Sequence, residues 1–545
     1  LGLLKMDILG LRNLDVISDA DEMIRRTTTP DFDVDAIPLD DPATYELLRR
    51  GDTVGVFQLE SPNMRALLRS MVPEDLDDVA AVLALYRPGP MAADMHIHYA
   101  DIKNGRAAPS YFHPDAEALL GDTYGLMIYQ ESIMRVAQKF AGFSLEKADA
   151  LRKACAKKDR KAMALERTAF VRGCADQGYG ESLGETLFEI VERFSDYAFT
   201  KSHAYGYALI AYQTAYLKAH HPREYAAALL TSVKANYDRA AVFLADARSH
   251  GIVVRTPDIN TSGVDFEVVR DGEDWVISFG LSAVRNVGEG LMRQFVEWRR
   301  DQPPFSSFHD FADRAPQAVL NKRMVESLVL AGAFDSLGHP RRGLVAVYEA
   351  IIESALRRRA ERDAGVMSLF EATAEAASDG YDERVAVPEM HFDAAEQLRR
   401  EREMLGLYVS DHPLRGLEGQ LRRRTSFGLG DVQERTDDQV VTLGGIVAAV
   451  DTRWTRKGQQ MATFQLEDLE GSIAVTVFPT LFQKQGHMVV QDSVLTVRGR
   501  LERRDEAVAT FTALELKVVE RLRAADMVLH IDLSRRSLED GELER

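Results

Sequence analysis

Apolar residues recur at three- and four-residue intervals from about Asp15 to His250, in a run dominated by Ala, Leu, Met, Glu and Arg, and this period predicts a section built mainly of helices. Breakers punctuate it at Pro73, at the Arg87-Pro88-Gly89-Pro90 turn, and at Pro109, Pro114 and Pro222. A mixed section follows. TPDINTSGVDFEVV and DWVISFGL predict short strands, and Gly288, Gly290, Gly332 and Gly338 bound the helices after them. Residues 343–363 predict a strongly charged helix, and 371–391 an acidic, loop-like connector. Between Val440 and Val519 the period changes to two, with strands expected near 440–450, 461–467, 472–478, 493–501 and 507–518 and a short helix at 479–488. Five strands with a helix after the third match the small Greek-key barrel called the OB-fold, often an oligonucleotide binder. MVLHIDL beyond it reads as the first strand of a further domain.

The opening LLKMDILGLRNL reads as a strand, with Lys5 and Asp7 on one face and Leu4, Met6 and Ile8 on the other. An acid and a base sharing a sheet face suit the corner of a metal-phosphate site, although on this motif alone an ordinary half-buried strand is the more common reading. A two-metal phosphoryl-transfer site needs several carboxylates to hold ions roughly 4 Å apart, so a lone Asp7 is insufficient. The chain, which carries no initiating methionine or signal peptide, is therefore expected to begin inside a domain.

Length and composition narrow the class. The 545 residues suffice for three or four domains, and 46% hydrophobic with 28% charged residues is ordinary for globular protein, without an apolar run long enough to span a bilayer. A net charge of -18 argues against indiscriminate nucleic-acid binding by the whole surface and leaves local basic patches open. Cys155 and Cys174 are the two cysteines and are far apart, which excludes a disulfide framework or zinc ribbon and suits a cytoplasmic protein.

Three runs carry candidate chemistry. In ADALRKACAKKDRKAM, Lys153, Lys157 and Lys161 fall at four-residue steps beside Arg152, Lys158 and Arg160, as either a phosphate-binding stripe or a solvated helix face. Cys155 there reads as a packing residue. In FTKSHAYGYALIAYQTAYLKAHHP, Thr200 or Ser202 can cap a helix whose first turn carries Lys201 and His203, both phosphate candidates at an anion-attracting terminus. Its stripe of Tyr205, Ala208, Leu209, Tyr212 and Tyr216 reads as core with hydroxyls at the rim, and His220 and His221 as a helix end. Val287, Gly288 and Gly290 form a Val-Gly-x-Gly hairpin between helices, with a weaker one in LVLAGAFDSLG; glycines there let backbone N–H groups approach a DNA phosphate without sequence readout. Val366-Met367-Ser368-Leu369-Phe370, after the charged helix, can plug a partner's groove or fold back on its own domain.

Taken together, KMDILGLRNL, FQLES, ALYRPGP, YQES, ALRKACAKK, KSHAYGYALIAYQTAYLKAHHP and EREMLGLYVSDHPL resemble, in order, the motifs of the bacterial DNA polymerase III alpha subunit, the C-family replicative polymerase. The resemblance implies a multidomain α+β protein: a partial palm strand and helices, mainly helical fingers, a tandem helix-hairpin-helix domain, and a C-terminal OB-fold β-barrel. The implied boundaries are 1–50 for the end of the palm, 51–250 for the fingers, 251–365 for the helix-hairpin-helix domain, 366–425 for the clamp-binding peptide and connector, 426–522 for the OB-fold, and 523–545 for the start of a truncated domain.

By the same resemblance Asp7 is the last of three metal-binding aspartates, the other two lying in an upstream motif, and two Mg²⁺ are the implied cofactor. Lys5, Arg152 and Lys153 would meet the triphosphate of an incoming dNTP, with Lys153 standing where the family has a second arginine and so lacking its bidentate fork. Arg87, Lys157, Lys158, Lys201, His203, Val287, Gly288 and Gly290 are candidates for DNA or phosphate. Val366 to Phe370 match the sliding-clamp motif, with Val366 in place of glutamine. Primer-template DNA, the clamp, a clamp loader and an exonuclease subunit are the implied partners, in the bacterial cytoplasm at the nucleoid and not at a membrane. The resemblance implies DNA-directed DNA polymerase activity for the intact parent and little or none for these 545 residues alone. A non-catalytic DNA-binding and clamp-tethering module, or an error-prone paralogue, are the alternatives.

Overall fold

Prolines begin helices here as well as ending them. Pro42, Pro62, Pro88 and Pro222 each lie in a first helical turn, where the missing N–H would have had no partner anyway. The expected break at Arg87–Pro90 is therefore the start of the short helix Pro88–Ala92, and that at Pro222 the start of Pro222–Ser232.

The structure is a computed structural model, and it describes residues 10–157, 160–195, 199–364, 384–434, 439–455, 458–469, 471–502 and 510–519. The chain divides into two units, Leu1–Ser410 and Asp411–Arg545. Lys5, Asp7, Lys158 and Val366 to Phe370 lie outside the described residues, as do the expected opening strand and MVLHIDL.

The first unit is mainly helical and holds three cores. One gathers Pro42–Arg50, Pro62–Met71 and Leu76–Leu85 around Lys201–His220, with Tyr45, Leu68, Ala211 and Tyr212 buried inside. A second lies among Gln130–Ala141, Leu145–Lys157, Arg160–Asp176 and Glu181–Ser195, packed on Phe140, Phe170 and Phe188. The third runs from Arg12–Thr27 through Pro222–Ser232 and Tyr237–Ser249 into the section after 250, joining Val16, Leu230, Phe243, Phe279, Phe311 and Ile351.

The cationic run is described as Leu145–Lys157 and Arg160–Asp176, and the expected ladder of lysines lies outside the description, since Lys158 and the side chains of Lys157 and Lys161 are not described. Cys155 is buried, with its Sγ 3.6 Å from Met163 Sδ, in keeping with a packing role.

After 250, β1 (Val254–Arg255), β2 (Glu267–Asp271) and β3 (Asp274–Ser278) form a small sheet in the order β1-β3-β2. The stretch TPDINTSGVD, expected as strand, is a turn, because Asp258 Oδ1 accepts the amides of Asn260 and Thr261 at 2.8 and 3.0 Å. Gly288 caps Glu289–Arg299, preceded by the single 3-10 turn Leu281–Ala283 instead of a full helix. Gly332, left-handed, ends Lys322–Ala331, and the charged helix spans Arg341–Asp363.

Part of the expected free connector is docked. The Gly343 amide donates to the Met390 carbonyl at 3.1 Å, and Val385, Val387 and Phe392 pack on the third core. A Cβ at Gly343 would collide with the Pro388 carbonyl, so this close approach requires glycine.

The second unit is a closed barrel in the order β4-β5-β6-β8-β7, formed by β4 (Val440–Trp454), β5 (Gln460–Glu467), β6 (Ser472–Val477), β7 (Val494–Glu502) and β8 (Thr510–Val518). All pairs are antiparallel except β6 with β8, and helix Pro479–Gln485 follows the third strand, as the period-two pattern predicts. Leu443, Phe464, Val475, Val497 and Phe511 fill the interior. Together the helical section, the mixed section after residue 250 and the five-stranded barrel make a multidomain α+β chain.

Candidate functional site

The first unit contains a cleft of about 600 Å³ whose wall draws on distant parts of the sequence. Arg12 and Asn13 come from the start of the first described helix, Gly55 to Ser61 from the GVFQLES loop, Tyr86 and Arg87 from the YRPGP run, Phe199, His203 and Tyr207 from KSHAYGY, and Arg239 and Phe243 from Tyr237–Ser249.

Rings and one guanidinium run continuously along it. Arg87 stacks on Phe199 with its Cζ 4.1 Å from the ring centre. Phe199 meets the His203 ring at 5.3 Å, His203 meets Tyr207 at 4.4 Å, and Tyr207 meets Phe57 at 5.2 Å. Arg87 is half-buried, donates to the Ala84 carbonyl at 3.0 Å, and burial lowers its pKa from the ordinary arginine value. Arg12 is exposed and has no ion-pair partner among the described residues. Such an arrangement offers positive charge at the Arg87 and Arg12 positions and π-faces between them and Phe57.

The GVFQLES loop is held rigidly. Phe57 N–H donates to Thr214 Oγ1 at 3.1 Å, Thr53 Oγ1 donates to the Leu59 carbonyl at 2.5 Å, and Tyr225 OH donates to the Gly55 carbonyl at 2.8 Å. Its base is a charged cluster in which the Lys218 ammonium donates to Asp52, Asp246 and the Val54 carbonyl at 3.2, 3.0 and 3.0 Å. Asp52, Asp246 and His250 present ligand-type atoms close enough for a metal ion, but the lysine already supplies the cation between the carboxylates.

The sequence-derived cations fall in several places. Arg87 and His203 line the cleft. Arg152 does not, but its NH1 donates to Gln130 Oε1 at 3.1 Å, and the same oxygen accepts from Thr200 Oγ1 at 3.4 Å, next to Phe199. Gln130 N–H also donates to the Phe199 carbonyl at 2.8 Å, so the YQES segment ties Arg152 to the strip that carries the rings. Lys153 is exposed and paired with Asp149 at 2.7 Å. Hydrogen bonds from Lys153 and then Arg152 hold the Asp149 carboxyl below its ordinary value. Lys157 ends its helix, and its side chain is outside the description.

Lys201 is engaged within the protein. Its backbone N–H donates to Glu131 Oε2 at 2.9 Å and its ammonium to Asp122 at 3.0 Å, so a carboxylate already occupies the terminus of Lys201–His220. Thr200 is at the cap position without a capping side-chain bond. The tyrosine stripe follows its core reading: Tyr212 OH donates to the Pro38 carbonyl at 2.6 Å and Tyr205 OH to Asp77 at 2.6 Å, while Leu209 on the same stripe is exposed. His220 pairs with Asp41 at 2.8 Å at the helix end.

Val287 is buried, whereas Gly288 and Gly290 face open space, since a Cβ on either would meet nothing within 4 Å. Neither has a positive φ. Their lack of a side chain answers no demand of the fold and leaves the backbone open to approach from outside. On the barrel, Trp454 is 72% exposed.

Sequence reasoning missed Arg12, Phe57, Gln58, Tyr207 and Arg239 as cleft residues. One usable signal was Gln58, a polar residue inside the otherwise apolar run Val56-Phe57-Gln58-Leu59.

This combination defines a class: a nucleic-acid-handling protein with a cationic, ring-lined cleft on a helical fingers unit, a helix-hairpin-helix section and an OB-fold. Family models agree in order, matching the bacterial DNA polymerase III alpha subunit finger domain at residues 13–178, a helix-hairpin-helix motif at 251–344 and an OB-fold nucleic acid binding domain at 441–519. The chain belongs to the bacterial DNA polymerase III alpha subunit family. It is 45% identical over 523 residues to DNA polymerase III subunit alpha of Mycobacterium tuberculosis (strain H37Rv), covering 93% of this chain and 43% of the relative. It is 40% identical to the Thermus aquaticus subunit over 555 aligned residues (100% and 44%), and 35% identical to that of Bacillus subtilis over 542 (99% and 47%). The chain thus spans a little under half the length of the curated relatives it matches.

Proposed function

We propose that this chain supplies the nucleotide-selecting and DNA-holding part of a replicative DNA-directed DNA polymerase, which extends a primer by template-directed nucleotidyl transfer from dNTPs. The observation that carries the reading is the cleft, where Arg12, a few residues after Lys5 and Asp7 in sequence, shares a wall with Arg87 and His203. In this reading the triphosphate lies toward Arg12 and Arg87, whose charges offset the phosphates, and the base lies along the ring ladder. Lys5 adds a further phosphate contact, Arg152 approaches from Leu145–Lys157 through Gln130, and Lys153 follows it on the same helix, where Asp149 holds it.

Among the described residues the cleft wall presents one carboxylate, Glu60, and Arg239 holds both of its oxygens at 2.8 Å. This wall does not fit a pair of Mg²⁺. The two ions of the proposed reaction go to Asp7 and to the further aspartates that the resemblance implies, and the described wall binds and orients substrate. Gly288 and Gly290 contact duplex phosphates, the OB-fold takes the single-stranded template, and Val366 to Phe370 engage the sliding clamp in a bacterial cytoplasmic holoenzyme that also contains clamp-loader and exonuclease subunits. Among the described residues no helix is long and apolar enough to cross a membrane.

The test is anisotropy of a labelled, dideoxy-terminated primer-template titrated with the 545-residue chain. Binding that weakens with salt is expected, and the next correct dNTP should tighten it in wild type and not in Arg12→Ala. A non-catalytic tethering module would bind DNA without any dNTP response. Template-directed incorporation by these 545 residues alone would contradict the assignment of Asp7 as one carboxylate of three.

A further inference from the structure

The hairpin residue between Gly288 and Gly290 is an acid, Glu289, in the first turn of Glu289–Arg299. A carboxylate beside a phosphate-binding backbone opposes it in two ways. Its charge repels the phosphate, and a helix N-terminus attracts any anion, so a loose Glu289 can fold back onto the amides of its own first turn. Gly288, at the cap, has no side chain to cover them. The same chemistry operates at Lys201–His220, whose first amide donates to Glu131 Oε2 at 2.9 Å. Glu289 is instead held by two cations: Lys234 donates to its Oε2 at 2.9 Å and Arg293 to its Oε1 at 2.8 Å. Hydrogen bonds from Lys234, foremost, and from Arg293 keep the Glu289 carboxyl below its ordinary value.

The two cations are not equivalent. Arg293 is 65% exposed and reaches Glu289 along its own helix, a surface pair of the kind that holds weakly. Lys234, just after Pro222–Ser232, is anchored, since its ammonium also donates to Asp265 Oδ1 at 2.5 Å and Ser282 Oγ at 3.2 Å. An ammonium has three protons, and these three acceptors use them all. Lys234 therefore has no donor left for DNA and acts through Glu289. We infer that Lys234 is a positioning residue for duplex binding, which with Arg293 keeps the Glu289 carboxylate off the hairpin and leaves the amides around Gly288 and Gly290 to a DNA phosphate. The inference rests on the reading of that hairpin as a phosphate contact and deepens it. Ser232 and Val233, immediately before Lys234, line the cleft, so one short segment serves both the cleft wall and the hairpin.

The test is anisotropy of a labelled blunt duplex titrated with the 545-residue chain, with melting temperatures showing that each variant is folded at the assay temperature. Lys234→Met should bind about tenfold more weakly than wild type, the size of one hydrogen bond to a charged group. Lys234→Gln replaces it should the first variant fail to fold. Glu289→Gln should bind at least as well as wild type, and adding it to the Lys234 variant should restore wild-type affinity. Asp265→Asn added to the Lys234 variant gives the same net charge as that rescue but leaves Glu289 loose, so binding should stay weak. Wild-type binding by the Lys234 variant, or a loss that both second changes restore equally or that neither restores, overturns the Lys234 assignment; the hairpin reading stands without it if Gly290→Val still weakens binding. Wild-type binding by Gly290→Val removes the hairpin reading and the Lys234 assignment together.

Discussion

His250 fastens the base of the loop that carries Gln58, and its protonation gives a sharp stability test. Its Nε2 lies 2.8 Å from Asp52 and its Nδ1 2.8 Å from the Asp246 carbonyl, so both ring nitrogens face acceptors and the imidazolium satisfies both. The hydrogen bond to Asp52, foremost, pushes His250 up from 6.5 to about 9. That shift corresponds to roughly 3 kcal/mol at 1.36 kcal/mol per pKa unit. With the His250 side chain 33% exposed, solvent screening reduces the contribution to about 1–2 kcal/mol. Folded His250 holds its proton more tightly than unfolded histidine, so the stabilisation is complete below pH 6.5 and is lost as pH rises through about 9. His250→Gln should therefore melt a few degrees below wild type at pH 6, with the gap closing by pH 10. Calorimetric melts of both proteins across that range are the assay. A gap of equal size at pH 6 and pH 10 would refute the reasoning, because it would show that packing and not charge holds the loop.

Glu401 is fully buried, pairs with Arg341 at 3.0 Å and accepts the amides of Val409 and Ser410; Glu401→Ala should cost about 3–5 kcal/mol in denaturant unfolding of the first unit. The Cβ of a Gly290→Val variant meets no atom within 4 Å, so its unfolding free energy should stay within about 0.5 kcal/mol of wild type, while duplex binding weakens in a filter-binding assay. Trp454 stands 72% exposed on β4, and Trp454→Ala should weaken single-strand binding by about 1–3 kcal/mol, read from anisotropy of a labelled oligonucleotide.

The barrel was legible because its alternation is regular: every strand of the period-two section appears within a few residues of its expected place. The helical section was legible as a class but not in its joints, since Pro88 and Pro222 start helices by the same chemistry that lets them end others. The role of Lys201 depends on Asp122 and Glu131, both about seventy positions or more away. Such pairings are properties of tertiary contact, which local pattern does not contain. Gln58 sits between these cases: its polarity in an apolar run was visible, whereas its left-handed backbone belongs to the turn closed by the Leu59 N–H on the Val56 carbonyl, which nothing in the run announces.

The most direct measurement is photolabelling of the chain, bound to primer-template, with 8-azido-dATP, followed by peptide mapping. The account predicts label on the peptides bearing Phe57 or Phe199 to Tyr207, competed by dATP and diminished in Arg12→Ala. Label elsewhere on the first unit, or label on these peptides indifferent to dATP and to Arg12, would contradict it.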